Sequence, residues 1–172
     1  VSLLAGSSAG AVAQTGQFVG VDTLRVFVTG LSGELPAGLT TDAVRGEIES
    51  VLAGVGIGTD TADATTAPAL RVGFSIVQLP GGWVIGVRVE LVEVSVSLRE
   101  YVWEVSRRTE DPARGDATPD SVLGAVMRNF TTWSRFAIAT CGTEEGYDTA
   151  VAVLRQLVVE LGGTVMLDNP DG

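Results

Sequence analysis

Residues 70 to 98 read as two runs of alternating polarity around a turn, and this feature limits the fold more than any other. Leu70, Val72, Phe74 and Ile76 alternate with Arg71, Gly73 and Ser75, and Pro80-Gly81-Gly82 precedes a second run from Trp83 to Leu98. A side-chain period of two marks a half-buried strand, and proline and glycine at the junction preset the backbone for reversal. The pair predicts a hairpin. In its second arm Arg88 and Glu90 point outward, whereas Glu93, Ser95 and Ser97 take the outward positions further on, so the phase slips by one residue. A bulge or bend near Leu91 to Glu93 accounts for the slip, since otherwise charges would turn into the core.

Other segments supply the layer that such a hairpin packs against. Thr23 to Thr29 alternates with Leu24, Val26 and Val28 on one face and runs into a Gly/Pro loop, Gly30 to Gly38. Thr40 then suits a helix N-cap, with Leu39 and Val44 placed as a hydrophobic staple. Val44, Ile48, Val51, Leu52 and Val55 recur at helical spacing until Gly54 and Gly56 close the segment. Ile57 to Asp60 reads as a short strand, parallel to the first through a crossover. Glu100 to Arg108 continues the hairpin arm as strand, with Tyr101, Trp103 and Val105 on one face, and Arg107 to Asp120 follows as a charged, proline-bearing loop. Ser121 to Met127 is weakly helical, and Phe130 to Cys141 reads as a last strand with Phe136 and Ile138 inward. Thr143 is placed to cap a closing helix with Glu144 and Glu145 at its positive end and a stripe of Tyr147, Val151, Leu154, Leu157, Val158 and Leu161. The expected fold class is α+β: one mixed, mostly antiparallel sheet with helices at about 40–54 and 144–161 on one face. A chain of 172 residues is one domain, here 14–172, with an insertion at about 100–129.

Composition decides which chemistry is open. The chain has no histidine, and all 11 basic residues are arginine. This removes Ser-His-Asp and Cys-His arrangements, Schiff-base and phosphate-loop lysines, and imidazole metal sites. Carboxylates, one thiol, two tyrosines and hydroxyls remain to move protons. The single Cys141 cannot form an internal bridge, which leaves an intermolecular bridge or, as the expected reading, an inert buried thiol. A formal net charge of −10 opposes nucleic-acid binding, which arginine and lysine drive by displacing counterions. It also opposes adsorption to anionic membranes and keeps an apolar-rich chain soluble.

Val1 to Ala13 carries no charge and ends in Ala11-Val12-Ala13 before Gln14, the small-x-small form of a signal-peptidase site. It reads as the tail of an export signal, with a mature start at Gln14 and a periplasmic or secreted product; a flexible Ala/Gly/Ser tail is the other reading. It is too short to span a bilayer, and charged residues interrupt the longer apolar runs, so no transmembrane span is expected.

The order of a strand, Gly38-Leu39-Thr40, a helix, Ala53-Gly54-Val55-Gly56-Ile57, two long strands, Trp133-Ser134 in the last strand and a closing helix resembles a group of small exported bacterial proteins with no assigned activity. The resemblance spans roughly Asp22 to Leu161, with Glu100 to Asn129 departing from it. It implies export and the α+β fold, and it brings no catalytic residues.

Glu104, Glu110, Asp111, Asp116 and Asp120 form the densest group of carboxylates, but Arg107, Arg108 and Arg114 compete for their oxygens and the spacing matches no calcium loop. They read as a solvated charged segment. Glu144-Glu145 reads as helix-end electrostatics. Trp83, Tyr101, Trp103 and Trp133 read as a binding platform or as core packing. Gly54-Val55-Gly56-Ile57-Gly58 closes a helix rather than opening one, unlike a dinucleotide fingerprint. No catalytic, cofactor-binding or metal-ligating residue is assigned, and no cofactor is expected. The expectation is a non-catalytic, extracytoplasmic protein-interaction module, an accessory subunit of a larger envelope or membrane complex. Its unidentified protein partner is met through Tyr101, Trp103, Arg107, Arg108 and Arg114 in the 100–129 insertion. The alternatives are a carrier of a small apolar ligand and, last, a carboxylate-dependent hydrolase, since glycoside chemistry needs neither histidine nor lysine.

Overall fold

The computed structural model describes residues 2–4, 21–59, 68–115 and 117–168. Backbone contacts divide the chain into two compact units, residues 1–92 with 131–172, and residues 93–130. The first unit contains β1 (Ser2–Leu4), β2 (Thr23–Thr29), α1 (Thr41–Gly54), β3 (Gly58–Thr59), β4 (Ala69–Leu79) and most of β5 (Gly82–Val96). It closes with most of β6 (Met127–Gly142) and with α4 (Gly146–Asp168). The second unit holds α2 (Leu98–Glu110), a 3-10 turn at Pro112–Arg114 and α3 (Pro119–Val126).

The strands form one six-stranded mixed sheet in the order β1-β6-β5-β4-β2-β3. The hairpin is built as its sequence predicts: β4 and β5 pair antiparallel from Leu79↔Gly82 to Ala69↔Val92, around a two-residue turn of Pro80 and Gly81. That register is unbroken. The pairing with β4 ends at Val92, inside the stretch where a bulge or bend is expected, and the successive residues Leu91 and Val92 are both buried there. β2 runs parallel to β4, and β3 runs parallel to β2, as the strand-helix-strand pattern requires.

One face of the sheet carries the core. Leu24, Leu70, Val72, Phe74, Trp83, Ile85, Val87, Val89 and Leu91 pack with Val44, Ile48 and Leu52 of α1 and Leu154, Leu157, Val158 and Leu161 of α4. Both helices therefore cover the same face, and the α+β class stands. Thr40 caps α1, its hydroxyl accepting from the Ala43 N–H at 3.2 Å, and Leu39 and Val44 are both buried beside it. The two helices approach closely where Gly162 meets Val55; a Cβ on Gly162 would lie 2.9 Å from a Val55 methyl. Thr143 to Glu145 forms a 3-10 turn instead of the first turn of α4, and the Glu145 carboxylate accepts from the Gly142 N–H at 3.3 Å. The helix accordingly starts at Gly146 and continues to Asp168. The segment Thr143–Met166 is long and apolar enough to cross a membrane by composition, but its apolar stripe lies in this core.

In β6 the core side is taken by Trp133, Ala137 and Ala139, so Phe136 and Ile138, expected inward, stand on the exposed side. A strand presents alternate residues to each face, and burying Trp133 fixes which parity turns in. Cys141 is half-buried at the margin of the core rather than fully enclosed. Of the expected export tail, Ser2–Leu4 pairs with β6; its remaining residues lie outside the described ones.

Candidate functional site

Glu100 to Arg108, expected as strand, is the middle of helix α2, and the expected loop from Arg107 to Asp120 comprises the end of α2, the 3-10 turn and the start of α3. The local sequence explains this. Ser97 is the N-cap, its hydroxyl accepting from the Glu100 N–H at 3.4 Å. Glu104 then reaches forward to Arg107 at 3.5 Å and to Arg108 at 2.8 Å. Carboxylate-to-arginine pairs three and four residues on, with the acid nearer the N-terminus, support a helix and are of no use to a strand. Arg107 and Arg108 also sit in the last turn, where the helix dipole favours cations.

The two sides of α2 differ. Arg108 bridges to α3, donating to the Ser121 hydroxyl at 3.0 Å with its side chain only 12% exposed. On the other side Leu98 is 77% exposed, Val102 55% and Trp103 58%, and no residue of α2 is buried. The Arg107 guanidinium lies over the Trp103 ring, 4.2 Å from its centroid. An open groove of about 1070 Å³ runs along this side, lined by Ser97, Leu98, Arg99, Glu100, Val102, Trp103 and Ser106. The described part of its lining comes from this one helix face.

The five residues expected to meet a partner are thus not one site. Trp103 is exposed and stacks with the half-buried Arg107, and Tyr101 is half-buried as well. Arg108 is committed to the α2–α3 contact. Arg114 is held in the 3-10 turn by Asp111 at 3.2 Å. Leu98 and Val102 belong beside Trp103 and were missing from the expectation. Trp83 and Trp133 are core residues instead of platform; Trp83 Nε1 donates to the Thr143 carbonyl at 3.1 Å.

Glu93, at the entry to this unit, has its carboxyl pKa raised by burial. The folded chain therefore holds this proton to a higher pH than the unfolded chain does. Stability falls as pH rises from the ordinary glutamate value, about 4.3, through the raised one, and the loss persists above it. Glu93→Gln removes the charge, so the variant should be more stable than the parent at neutral pH. That advantage should vanish as the pH falls below the ordinary value. Urea midpoints between pH 4 and 7 test this, and an advantage that grows on acidification contradicts it.

No family model and no curated protein matches the chain. Among solved structures it is similar to a PelC dodecamer from Paraburkholderia phytofirmans, at 13% identity over 95% of each chain with a TM-score of 0.43. That chain is a leucine-to-methionine variant; a PelC dodecamer from the same organism without that substitution, in another space group, gives 14% over 98% of each chain and a TM-score of 0.40. A minor lipoprotein from Acinetobacter baumannii gives 16% identity over 87% of this chain and 94% of its own, with a TM-score of 0.30. Identities and TM-scores this low carry no activity, partner or assembly state across to the chain.

Proposed function

We propose that the protein is a non-catalytic contact module acting outside the cytoplasm, an accessory subunit that binds a partner protein through the exposed side of α2. One observation carries the reading: Leu98, Val102 and Trp103 stand exposed along one side of a helix none of whose residues is fully buried. Leaving three large apolar side chains in water along one helix costs free energy that a partner surface would recover. Tryptophan and arginine are the side chains that most often dominate binding energy, and Arg107 stacked on Trp103 presents both as one rigid anchor. The absence of histidine and lysine supports the non-catalytic part, and the Ala11-Val12-Ala13 pattern supports export.

The test is a comparison of the parent with Leu98→Ser/Trp103→Ala by native mass spectrometry of material from its own host. Because these side chains are exposed, the double variant should melt close to the parent. The parent should carry a stoichiometric partner chain, and the variant should bind that partner at least roughly thirtyfold more weakly, the scale of a lost hot spot. A partner retained with unchanged affinity removes α2 as the interface. A small molecule retained by both proteins favours the carrier reading.

A further inference from the structure

The sheet of the first unit has a second face, opposite the one covered by α1 and α4. Its side chains alternate with the core set along β2, β4, β5 and β6, and water-facing positions there would ordinarily be polar. Here five are large and apolar: Phe27, Val77, Leu79, Phe136 and Ile138 are all exposed. Phe136 lies across the β5 backbone at Gly86, where an added Cβ would sit 3.3 Å from the ring. The charged residues of this face are Arg25, Arg71, Arg88 and Glu90, three cations to one anion, in a chain of net charge −10. Arg88 extends over the Phe136 ring, 5.9 Å from its centroid, and reaches Glu90 only at 3.7 Å. Arg71 is exposed and makes no ion pair among the described residues.

We infer that this face docks an acidic, amphipathic helix of a partner protein. Its apolar stripe covers Val77, Leu79, Phe136 and Ile138, and its flanking carboxylates meet Arg71 and Arg88. A sheet face is a surface of side chains, not an edge with free backbone groups, so a helix laid across it is the fitting partner, as on the opposite face. The dimensions agree. From Arg71 to Leu79 is eight residue steps, about 27 Å at 3.4 Å each, the length of an 18-residue helix at about 1.5 Å per residue. Charge selects the partner: the arginines offer planar donors to carboxylates, which strengthen once water is excluded. The inference is independent of the role proposed for α2.

The probe is a labelled 18-residue peptide with leucine at i, i+3, i+4 and i+7 and glutamate on both flanks, followed by fluorescence anisotropy beside a version carrying lysine for glutamate. The glutamate peptide should bind at least tenfold more tightly than the lysine peptide, although the protein is itself acidic, and added salt should weaken it. Arg71→Glu/Arg88→Glu should reduce glutamate-peptide binding at least tenfold, and Arg71→Gln/Arg88→Gln provides the same test with less change of charge. Trp103→Ala should leave it unchanged. Equal or tighter binding of the lysine peptide, or undiminished binding by the arginine variants, overturns the inference. Self-association of the parent in sedimentation velocity, lost in the arginine variants, would assign the face to a second copy of this chain instead and overturn it equally.

Discussion

Leu154→Asp should leave the chain without a cooperative melting transition at room temperature and above. Leu154 is 1% exposed, at the centre of the α4 stripe, and the core it enters contains both sheet and α1 residues. The substitution removes buried apolar surface and places a carboxyl where nothing nearby can bond it. The first effect costs about 2–5 kcal/mol, and the second adds several more, whether the group stays charged or takes a proton. Against a total stability of about 5–15 kcal/mol for a domain, the two together exhaust the fold. The control lies two residues away: Ala152 is exposed on the same helix, so Ala152→Asp should cost no more than about 1 kcal/mol, most of it lost helix propensity. Circular dichroism melting of both variants checks the assignment, and a Leu154→Asp protein that melts like the parent contradicts it.

Gly30→Ala should be the most damaging Gly→Ala substitution among the described glycines. Gly30 leaves β2 with φ of +81°, and its missing Cβ is where the Phe74 carbonyl oxygen of the neighbouring strand lies. Alanine would have to hold the left-handed backbone, at about 1–2 kcal/mol, while pushing β2 and β4 apart where their parallel pairing ends at Thr29↔Gly73. Overpacking of this kind adds about 1–3 kcal/mol, and no flexible side chain is present to yield. A loss of about 2–5 kcal/mol is expected in urea unfolding. Gly33 makes a useful comparison, since it has φ of +83° but nothing within 4 Å of its Cβ position. Gly33→Ala should therefore cost only the backbone part. Equal losses at the two sites would show that the close approach to Phe74 is not a constraint.

How far the sequence could be read depended on whether one local pattern stood alone. The β4–β5 hairpin was legible because alternation, turn residues and length agreed. In α1, the Thr40 cap, the apolar stripe and the closing glycines agreed in the same way. Helix α2 was misread because Tyr101, Trp103 and Val105 alternate as a strand would, while Leu98 and Val102 share one side as a helix would. The deciding signals were Ser97 three residues before Glu100, a capping pair, and Glu104 placed to reach Arg107 and Arg108. With the helix missed, the exposed stripe could not be seen, and the five expected site residues mixed surface groups with structural ones. Phe136 and Ile138 were misplaced for a different reason. Hydrophobicity sends both inward, but only one parity of β6 can face the core, and that parity is fixed by Trp133 and the small Ala137 and Ala139. The same fact produces the apolar outer face of the sheet, which no reading of single residues would have found.

The claim that α2 carries the partner contact is tested most directly by site-specific photo-crosslinking in the native host. A photoreactive residue placed at Val102, which lies between Leu98 and Trp103 on the exposed side and is itself 55% exposed, should yield one discrete cross-linked adduct with a protein partner. The same residue at Ala152, exposed on α4, should yield none, and adding Trp103→Ala should abolish the adduct at Val102. No adduct at Val102, or one that survives Trp103→Ala at full intensity, contradicts the account.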